Sequence, residues 1–336
     1  MIKSIKAFKY LTPFVLYLLA ILAFKNTGIW CWLPIMYTFF MVPTVELFIK
    51  PDPSNLEQVE EELAKKNKLY DYILYLAVIL QYYILYVFLN AMTVNELTLF
   101  DIIGRVFSMG LLCGTFGINV AHELGHRVNK FEQLLAKLLL LTSLYMHFFI
   151  EHNKGHHKHV ATPHDPSTAK KDQPLYAFWV QTLIGTYKSA WKIDPKEMNL
   201  FQIIQATFIA AIYLVWGGTT TLYFVAAALI GGLLLETVNY IEHYGLSRNK
   251  TEGESYERVQ PYHSWNSNHI IGRLMLFELS RHSDHHYLAS RKYQILRNID
   301  NAPQMPTGYP GMILLSLFPP LWFKVMHAAM KKQGIQ

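Results

Sequence analysis

The stretch LLCGTFGINVAHELGHR, residues 111–127, leads from an apolar run directly into the pattern H-E-x-x-H. His122 and His126 are four residues apart, so a helix presents both imidazoles on one face, where they can grip a metal ion together. The apolar segment before them, 100–121, is long enough to cross a bilayer. The stretch therefore predicts a metal site held at a membrane surface by the end of a transmembrane helix.

Three further histidine groups repeat this arrangement, each following an apolar segment. On the helical repeat we expect His152 to pair with His156. By the same spacing we expect His282, His285 and His286 to face a common point. Nine histidines exceed the roughly three protein ligands of a catalytic zinc and suit two metal ions. The three groups are EHNKGHH at 151–157, NYIEH at 239–243 and HSDHH at 282–286.

Six apolar segments reach the length of about 20 residues that a membrane helix needs. Two more segments, 134–150 and 308–328, are apolar, but a single crossing at 134–150 would separate the first two histidine groups. We expect both to lie along the interface or inside the cap. Gly217, Gly218 and Thr219 predict a tight turn between the last two spans. The predicted spans are roughly 8–25, 29–49, 71–92, 100–121, 200–217 and 219–238.

These segments predict an all-α integral membrane protein with about six transmembrane helices and a histidine-rich cap. Short loops that stay in the cytoplasm are rich in lysine and arginine. Lys50 and Lys65 lie on the side of the histidines, whereas the opposite loops have only Lys25 close by. The histidines are therefore expected to face the cytoplasm, in a bacterial-type inner membrane. The predicted single domain is 1–336, and its cap comprises 122–199 and 239–336.

The charge and the cysteines narrow the class of protein further. The chain is 52% hydrophobic with a formal charge of +6, which suits a membrane surface or an acidic partner better than a nucleic acid. Cys31 and Cys113 both lie in apolar runs, and no C-x-x-C pair suggests a disulfide framework, a zinc site or an iron–sulfur cluster. A metal site in this chain therefore depends on histidine.

The identity of the metal follows less directly from the residues. Imidazole binds iron, copper, nickel and zinc alike, although the lack of methionine and cysteine within the four groups disfavours copper. H-E-x-x-H also matches the pattern of zinc proteases, in which Glu123 would act as the base. A metal transporter is a further alternative, but its histidines would be spread along the spans rather than gathered at one membrane face.

The sequence resembles the membrane-bound alkane 1-monooxygenases, within the wider family of histidine-rich membrane fatty acid desaturases and hydroxylases. The likeness covers most of the chain from about residue 100 onward. This chain departs from the family at two positions. Ser280 stands where the family commonly has glutamine, and Tyr287 stands where alanine is usual. The matching stretches are HELGHR at 122–127, EHNKGHH at 151–157, ATPHDPS at 161–167, NYIEHYGL at 239–246, PYHSWNSNH at 261–269, RHSDHH at 281–286 and YPGMILLSLFPPLWFKVMH at 309–327.

The resemblance implies a non-haem di-iron centre, cycling between Fe2+ and Fe3+, that uses O2 to hydroxylate the terminal carbon of medium- or long-chain alkanes. A different reaction on the same centre remains an alternative: desaturation or hydroxylation of a fatty acyl lipid, or hydroxylation of an aromatic methyl group. The ligands that the resemblance implies are His122, His126, His152, His156, His157, His243, His282, His285 and His286.

Carboxylates next to the ligands are candidates to balance the charge of the metals and to orient the imidazole rings. An ordinary interfacial carboxylate is the alternative for each of them. The candidates are Glu123, Glu151, Glu242 and Asp284, with His263 and His269 as further polar residues near the site.

The substrate is expected to arrive through the bilayer, between apolar spans. Aromatic residues of the second span are candidates to line its channel, although membrane anchoring and packing are more usual for such residues. These candidates are Trp30, Trp32, Tyr37 and Phe40.

Reducing O2 with insertion of one oxygen atom requires two electrons from outside the chain. No G-x-G-x-x-G follows a strand and no rubredoxin-like cysteine pairs occur, so a separate carrier is needed. The resemblance implies a rubredoxin or ferredoxin with an NAD(P)H-dependent reductase. Basic residues of the cap are candidates to steer an acidic carrier, or else lie near lipid headgroups. They are Lys154, Lys158, Arg291, Lys292 and Arg297.

Overall fold

The chain is all-helical in a computed structural model, which describes residues 6–94, 96–253 and 255–335. Over these residues no strand forms, and isolated β-bridges are the only extended pairings. The prediction of an all-α fold is confirmed. The chain forms two compact units. Unit 1 comprises Met1–Phe40, Asn67–Ile150 and Asp194–Leu235, and unit 2 comprises Met41–Lys66, Glu151–Ile193 and Glu236–Gln336.

The helices are numbered in chain order, and several join α, 3-10 and π segments end to end. They are α1 Lys6–Lys25, α2 Gly28–Glu46, α3 Gln58–Lys66, α4 Leu69–Ala91, α5 Leu99–Gly125, α6 Lys130–Leu141, α7 Phe148–Glu151 continued by His152–His156 and His157–His159, α8 Leu175–Ile193, α9 Pro195–His243, α10 Ile270–Met275, α11 His282–Tyr287, α12 Tyr309–Ser316 and α13 Pro319–Lys332.

Within the described parts of the chain, five helices are long and apolar enough to cross a membrane: α1, α2, α4, α5 and α9. Helix α9 has 49 residues, and at 1.5 Å per residue it would be about 73 Å long if straight, more than twice the hydrocarbon thickness. Gly217 interrupts it with a φ of 80°, and the ring centroids of Phe208 and Phe224 are only 5.8 Å apart. The chain therefore turns back at Gly217, because glycine readily adopts that backbone conformation. The turn is as predicted, and the number of crossings stays a prediction.

Glycines set how closely helix α5, which carries His122, packs in unit 1. A Cβ added to Gly110 would lie 2.5 Å from the side chain of Ile230. One added to Gly231 would lie 2.5 Å from the Cβ of Cys113. Small residues thus let α5 approach the second arm of α9 at backbone distance, as is common between membrane helices. This packing fixes the position of the C-terminal end of α5.

Side chains anchor the short helices of unit 2 to neighbouring backbone. Helix α11 has six residues, too few for a stable helix on its own. The backbone N–H of Ser283 donates to Oδ1 of Asn266 at 2.8 Å. Arg281, directly before α11, donates to the carbonyls of Ser54 at 2.7 Å and Leu296 at 2.8 Å. These bonds fix α11 and, with it, three histidines.

The two doubtful apolar segments are not among the five long apolar helices. Segment 134–150 contains most of α6 and the turns that follow it. Segment 308–328 is interrupted at Phe318, directly before Pro319 and Pro320, and so forms α12 and α13. Proline ends a helix because it lacks an N–H and its ring clashes with the preceding turn. Whether the two segments are interfacial or buried stays a prediction.

Candidate metal centre

Four histidines converge in unit 2, and we call them the histidine tetrad: His156, His243, His282 and His286. Their ligand atoms lie within 4.8 Å of one another, and all four side chains are buried. Nε2 of His282 lies 3.2 Å from Nε2 of His243 and 2.9 Å from Nε2 of His286. Helices α7, α9 and α11 thus bring imidazoles to one point.

The tetrad fits a metal ion by spacing and by charge. Imidazole nitrogens bound at about 2.1 Å to one ion lie roughly 3.0–3.4 Å apart, close to the separations in the tetrad. Nε2 of His156 is buried without a hydrogen-bond partner among the described residues, which is unusual for a buried polar atom. Burial, reinforced by His282, lowers the pKa of His286 well below its ordinary value. Its imidazole is therefore neutral, the form that binds a metal.

Three further histidines of unit 2 form a second group, the histidine trio: His152, His157 and His285. Nε2 of His157 lies 3.0 Å from Nε2 of His152 and 3.1 Å from Nε2 of His285. The ring of His157 also lies 4.5 Å, centroid to centroid, from the ring of His286 in the tetrad. The trio therefore lies beside the tetrad, at a distance suited to a second ion.

Unit 1 contains the other two histidines of the predicted ligand set. His122 is buried and His126 is half-buried, with ring centroids 4.9 Å apart and planes at 90°. Between them, Oε1 of Glu123 lies 2.6 Å from Nη2 of Arg127. Nη1 of the same arginine lies 3.6 Å from Oδ1 of Asp71. This ion pair turns the Glu123 carboxylate towards Arg127.

The predicted grouping of histidines is wrong for α7 and α11, whereas His122 and His126 fall in one group as predicted. Residues 152–156 form a π turn, in which residues five apart, rather than four, come to the same side. His152 therefore groups with His157, and His156 joins the tetrad. In α11, His282 and His286 face the tetrad, whereas His285 faces the trio. Helices α7 and α11 thus each contribute ligands to both groups.

Asp165, which the sequence analysis does not single out, holds His156 in place. Its Oδ2 lies 2.9 Å from Nδ1 of His156 and accepts a hydrogen bond from Oγ1 of Thr168 at 2.6 Å. Burial alone would lower the pKa of His156, but Asp165 outweighs it and the pKa is raised. Burial opposes ionisation of Asp165 too, yet His156 keeps the pKa of this carboxyl low. Asp165 is nine residues away in an irregular loop, so helical spacing gives no sign of it.

Glu242 lies against the tetrad itself. Its Oε2 is 3.2 Å from Nε2 of His282, the same nitrogen that faces His243 and His286. Its Oε1 accepts a hydrogen bond from the hydroxyl of Tyr309 at 2.8 Å. Burial, followed by the nearby Glu242 charge, raises the pKa of Tyr309 well above its ordinary value, so the phenol remains a donor. Glu242 is therefore placed to balance positive charge where the four rings meet.

The other carboxylates next to predicted ligands have different surroundings. Asp284 lies 3.1 Å from Nε of Arg291 and 3.1 Å from Nη2 of Arg297, and so fixes the loop after α11. Glu151 is buried in α7, and burial, with a smaller contribution from Asp165, raises its pKa to about 8. Burial therefore favours the protonated form of the Glu151 carboxyl.

The two additional histidines contribute little through their rings. Nδ1 of His263 accepts a hydrogen bond from the N–H of Gln260 at 2.9 Å, and its carbonyl oxygen lies 3.4 Å from Nδ1 of His243. It is thus the backbone of His263 that approaches a tetrad ring. His269 lies 3.0 Å from Oγ of Ser267, and burial lowers its pKa.

A cavity of about 630 Å³ in unit 1 is the candidate for an apolar substrate path. Helices α1, α2 and α4 line it, and Tyr37 is the one residue of the four aromatic candidates among its described lining residues. Trp30 and Phe40 are exposed, and Trp32 packs on Phe107 at 6.0 Å. A channel role for the four stays a prediction.

One wall of this cavity leads towards α5. Tyr17, which lines it, donates a hydrogen bond to Oε1 of Gln81 at 3.1 Å. The Tyr17 ring stacks on Phe116 with centroids 4.2 Å apart. Phe116 belongs to the π segment Cys113–Ile118, directly before the part of α5 that carries His122. The cavity therefore borders the helix that ends in the first histidine pair.

Comparisons with known proteins identify the family of this chain and several relatives. The fatty acid desaturase family profile matches residues 102–316. Alkane 1-monooxygenase 2 of Pseudomonas aeruginosa is 37% identical over 314 residues, covering 88% of this chain and 83% of that protein. Alkane 1-monooxygenase of Acinetobacter baylyi is 38% identical over 301 residues, covering 85% and 73%. The xylene/toluene monooxygenase hydroxylase component XylM of Pseudomonas putida is 29% identical over 240 residues, covering 67% and 63%.

Proposed function

Because this chain belongs to the fatty acid desaturase family and, within it, to the alkane 1-monooxygenases, we propose that it hydroxylates the terminal carbon of medium- or long-chain alkanes. The reaction is R–CH3 + O2 + 2 e⁻ + 2 H⁺ → R–CH2OH + H2O. The observation that supports it most is the buried histidine tetrad next to the trio, in a chain with five long apolar helices.

We propose that the nine predicted histidines bind two iron ions. The tetrad supplies four imidazoles to one ion. The trio supplies three to the other. His122 and His126 complete the predicted set of nine ligands. When bound, the irons supply the O2 activation that an unreactive C–H bond requires, and the protein supplies position and environment.

The residues of this chain hold the ligands and exclude water. The tetrad side chains are at most 4% exposed, so bulk water does not reach them in quantity. Asp165 fixes the tautomer of His156 through Nδ1, which directs Nε2 to the metal. Glu242 offsets part of the metal's positive charge, and Tyr309 orients that carboxylate.

We propose six membrane crossings, with the two arms of α9 as the fifth and sixth, and a cytoplasmic cap. Each arm exceeds 20 residues and the chain reverses at Gly217, so each arm alone can span a bilayer. An alkane dissolves in the hydrocarbon layer and enters between the apolar helices. The cavity lined by Tyr17 and Tyr37 is the candidate entrance. Electrons come from a rubredoxin or ferredoxin with an NAD(P)H-dependent reductase.

One alternative substrate class has a specific observation in its favour. The similarity to XylM extends over two thirds of this chain, and the name of that protein refers to xylene and toluene. Hydroxylation of an aromatic methyl group is therefore the second candidate. The zinc protease hypothesis is disfavoured, because Glu123 forms a 2.6 Å ion pair with Arg127.

Product analysis with a panel of substrates tests the proposal. Iron-loaded protein in lipid nanodiscs would receive a rubredoxin, its reductase and NADH, with octane, m-xylene and a saturated acyl lipid in parallel. A primary octanol as the main product supports the proposal. A methylbenzyl alcohol alone, or an unsaturated lipid alone, would contradict it and select the corresponding alternative.

A further inference from the structure

A large groove in unit 2 has no part in the reaction as described so far. Its volume is about 980 Å³, and it is lined by the end of α7, the loop that follows it, helix α8 and residues 245–247. Gly155 and Asp165 contribute to its wall, and Asp165 contacts His156 of the tetrad. The groove therefore extends from the surface to within one hydrogen bond of a proposed metal ligand.

The groove is strongly basic. Six lysines line it, all with exposed side chains. Among the described residues that line it, Asp165 is the one carboxylate, and it is buried and engaged by His156 and Thr168. The six are Lys154, Lys158, Lys170, Lys171, Lys188 and Lys192. The positive charge of this concave surface is therefore available to an acidic partner.

Two basic residues of the cap outside the groove, Arg291 and Arg297, are compensated by carboxylates. Arg291 lies 2.6 Å from Glu61 and 3.1 Å from Asp284, and Arg297 pairs with Asp284 as well. By contrast, Lys158, Lys170, Lys171, Lys188 and Lys192 form no ion pair within the described residues. Uncompensated charge attracts a partner over a longer range than charge already paired within the protein. The groove is thus a stronger candidate for an electrostatic interface than the surface around Arg291 and Arg297.

Along helix α8, an exposed apolar stripe is followed by two lysines of the groove. The stripe comprises Tyr176, Val180 and Ile184. Lys188 and Lys192 continue it at the same four-residue spacing, and both line the groove. The lysine side chains are long enough to keep their charges in water beside such a stripe, where a soluble protein can reach them.

We propose that the lysine groove is the docking surface for the acidic one-electron carrier protein that reduces the metal centre. The inference rests on the proposed function. Two reduced carriers bind in turn, each gives up one electron and leaves oxidised, and the two electrons with two protons complete the reduction of O2. Two connections lead from the groove to the tetrad: Gly155 in its wall directly precedes His156 in the chain, and Asp165 contacts the His156 ring.

Direct binding to wild-type and charge-reversed protein tests this proposal. The full-length iron-loaded protein would be held in phosphatidylcholine nanodiscs and titrated with an acidic rubredoxin at low and high salt. The groove variant is Lys158→Glu/Lys188→Glu/Lys192→Glu. The matched control, Lys66→Glu/Lys331→Glu/Lys332→Glu, makes the same change in net charge at exposed lysines outside the groove. A second variant with glutamine at the three groove positions removes the charge without reversing it.

The groove variant is expected to bind rubredoxin on the order of tenfold more weakly at low salt, with a smaller salt dependence than wild type. Its KM for rubredoxin should rise in parallel, its iron content should stay unchanged, and the glutamine variant should be intermediate. The control should remain within about twofold of wild type. Equal losses in the groove variant and the control would overturn the proposal, because net charge alone would then explain them.

A membrane role for the lysines gives a different result. Rubredoxin affinity would be unchanged in the groove variant, while its thermal stability would lose the response to added phosphatidylglycerol, and this too would overturn the proposal. Product analysis remains an independent readout. Normal octanol formation without groove-dependent binding rejects the docking surface alone, and groove-dependent binding without octanol rejects the proposed function alone.

Discussion

Asp165 shows how much a single side chain determines about a ligand. Its carboxylate forms a hydrogen bond with Nδ1 of His156, so Nε2 of that ring faces the other three rings of the tetrad. The N–H of Ser167 donates to Oδ1 at 3.0 Å and the hydroxyl of Thr168 to Oδ2 at 2.6 Å, which fixes the carboxylate in turn. The hydrogen-bonding capacity of the buried Asp165 carboxylate is satisfied by these partners. Removing its charge is therefore expected to lower the metal affinity of the tetrad.

Asp165→Asn is expected to lower the metal affinity of the tetrad by roughly 10- to 100-fold, because the amide keeps the size of the carboxylate but loses its charge. Competition titration of iron against a chelator measures this. Asp172→Asn, an exposed acid seven residues further along the chain, is the control and should leave the affinity unchanged. Equal affinities for the two variants would show that Asp165 does not support a ligand.

At the scale of helices, two irregular features shape the centre. The π turn at 152–156 sends neighbouring histidines of α7 to different groups. Close packing of α5 against α9, permitted by Gly110 and Gly231, sets the position of the helix that carries His122. Both features depend on contacts that are distant in sequence, which is why local periodicity does not predict them.

Helix α7 places His156 in the tetrad and His157 in the trio, and this arrangement predicts the metal content of variants at the two positions. His156→Ala removes a tetrad ligand and His157→Ala a trio ligand, so each should retain about one iron per chain where the wild type retains about two. Metal analysis after anaerobic loading and desalting measures the content. His159→Ala, on the same helix but outside both groups, should match wild type. Loss of all iron in both variants, with the protein still folded, would argue against two separately held ions.

The close packing of α5 predicts the effect of a single methyl group. Gly231→Ala places a Cβ 2.5 Å from the Cβ of Cys113, so the two helices must separate. We expect a destabilisation of about 1–3 kcal/mol, measured as a lower thermal midpoint in detergent. Gly218→Ala is the control in the same helix, since its Cβ would meet only the ring of Tyr213 at 3.3 Å. A larger effect at Gly218 than at Gly231 would contradict this packing argument.

At the scale of the whole molecule, the sequence predicts the features whose causes are local. Apolar runs identify the long helices, and Gly217 identifies the turn. Both effects are local, because an apolar run forms the helix that contains it and glycine permits a turn at its own position. Nine histidines in four groups identify metal binding by composition alone. The roles of Asp165 and Tyr309 could not be predicted, because their contacts join residues 9 and 67 positions apart across irregular loops.

The proposed topology predicts which face of the membrane each segment reaches. In a variant with both cysteines replaced, Thr219→Cys at the turn of α9 should react with a membrane-impermeant maleimide added outside intact spheroplasts. Lys331→Cys in α13 should react only in inside-out vesicles, because the cap is proposed to be cytoplasmic. Both positions are exposed in the folded protein, so accessibility to the reagent depends on the membrane. Labelling of both positions from the same side would contradict six crossings with a cytoplasmic cap.

We propose that two groups of histidines bind two irons, which act together on O2 and a hydrocarbon. The most direct test measures iron per chain and alcohol formed per O2 consumed in the same preparations, with iron loading varied from none to saturation. We expect saturation at about two irons, alcohol formation only near that value, and about one alcohol per O2. Saturation at one ion, or full activity with one zinc and no iron, would contradict this proposal.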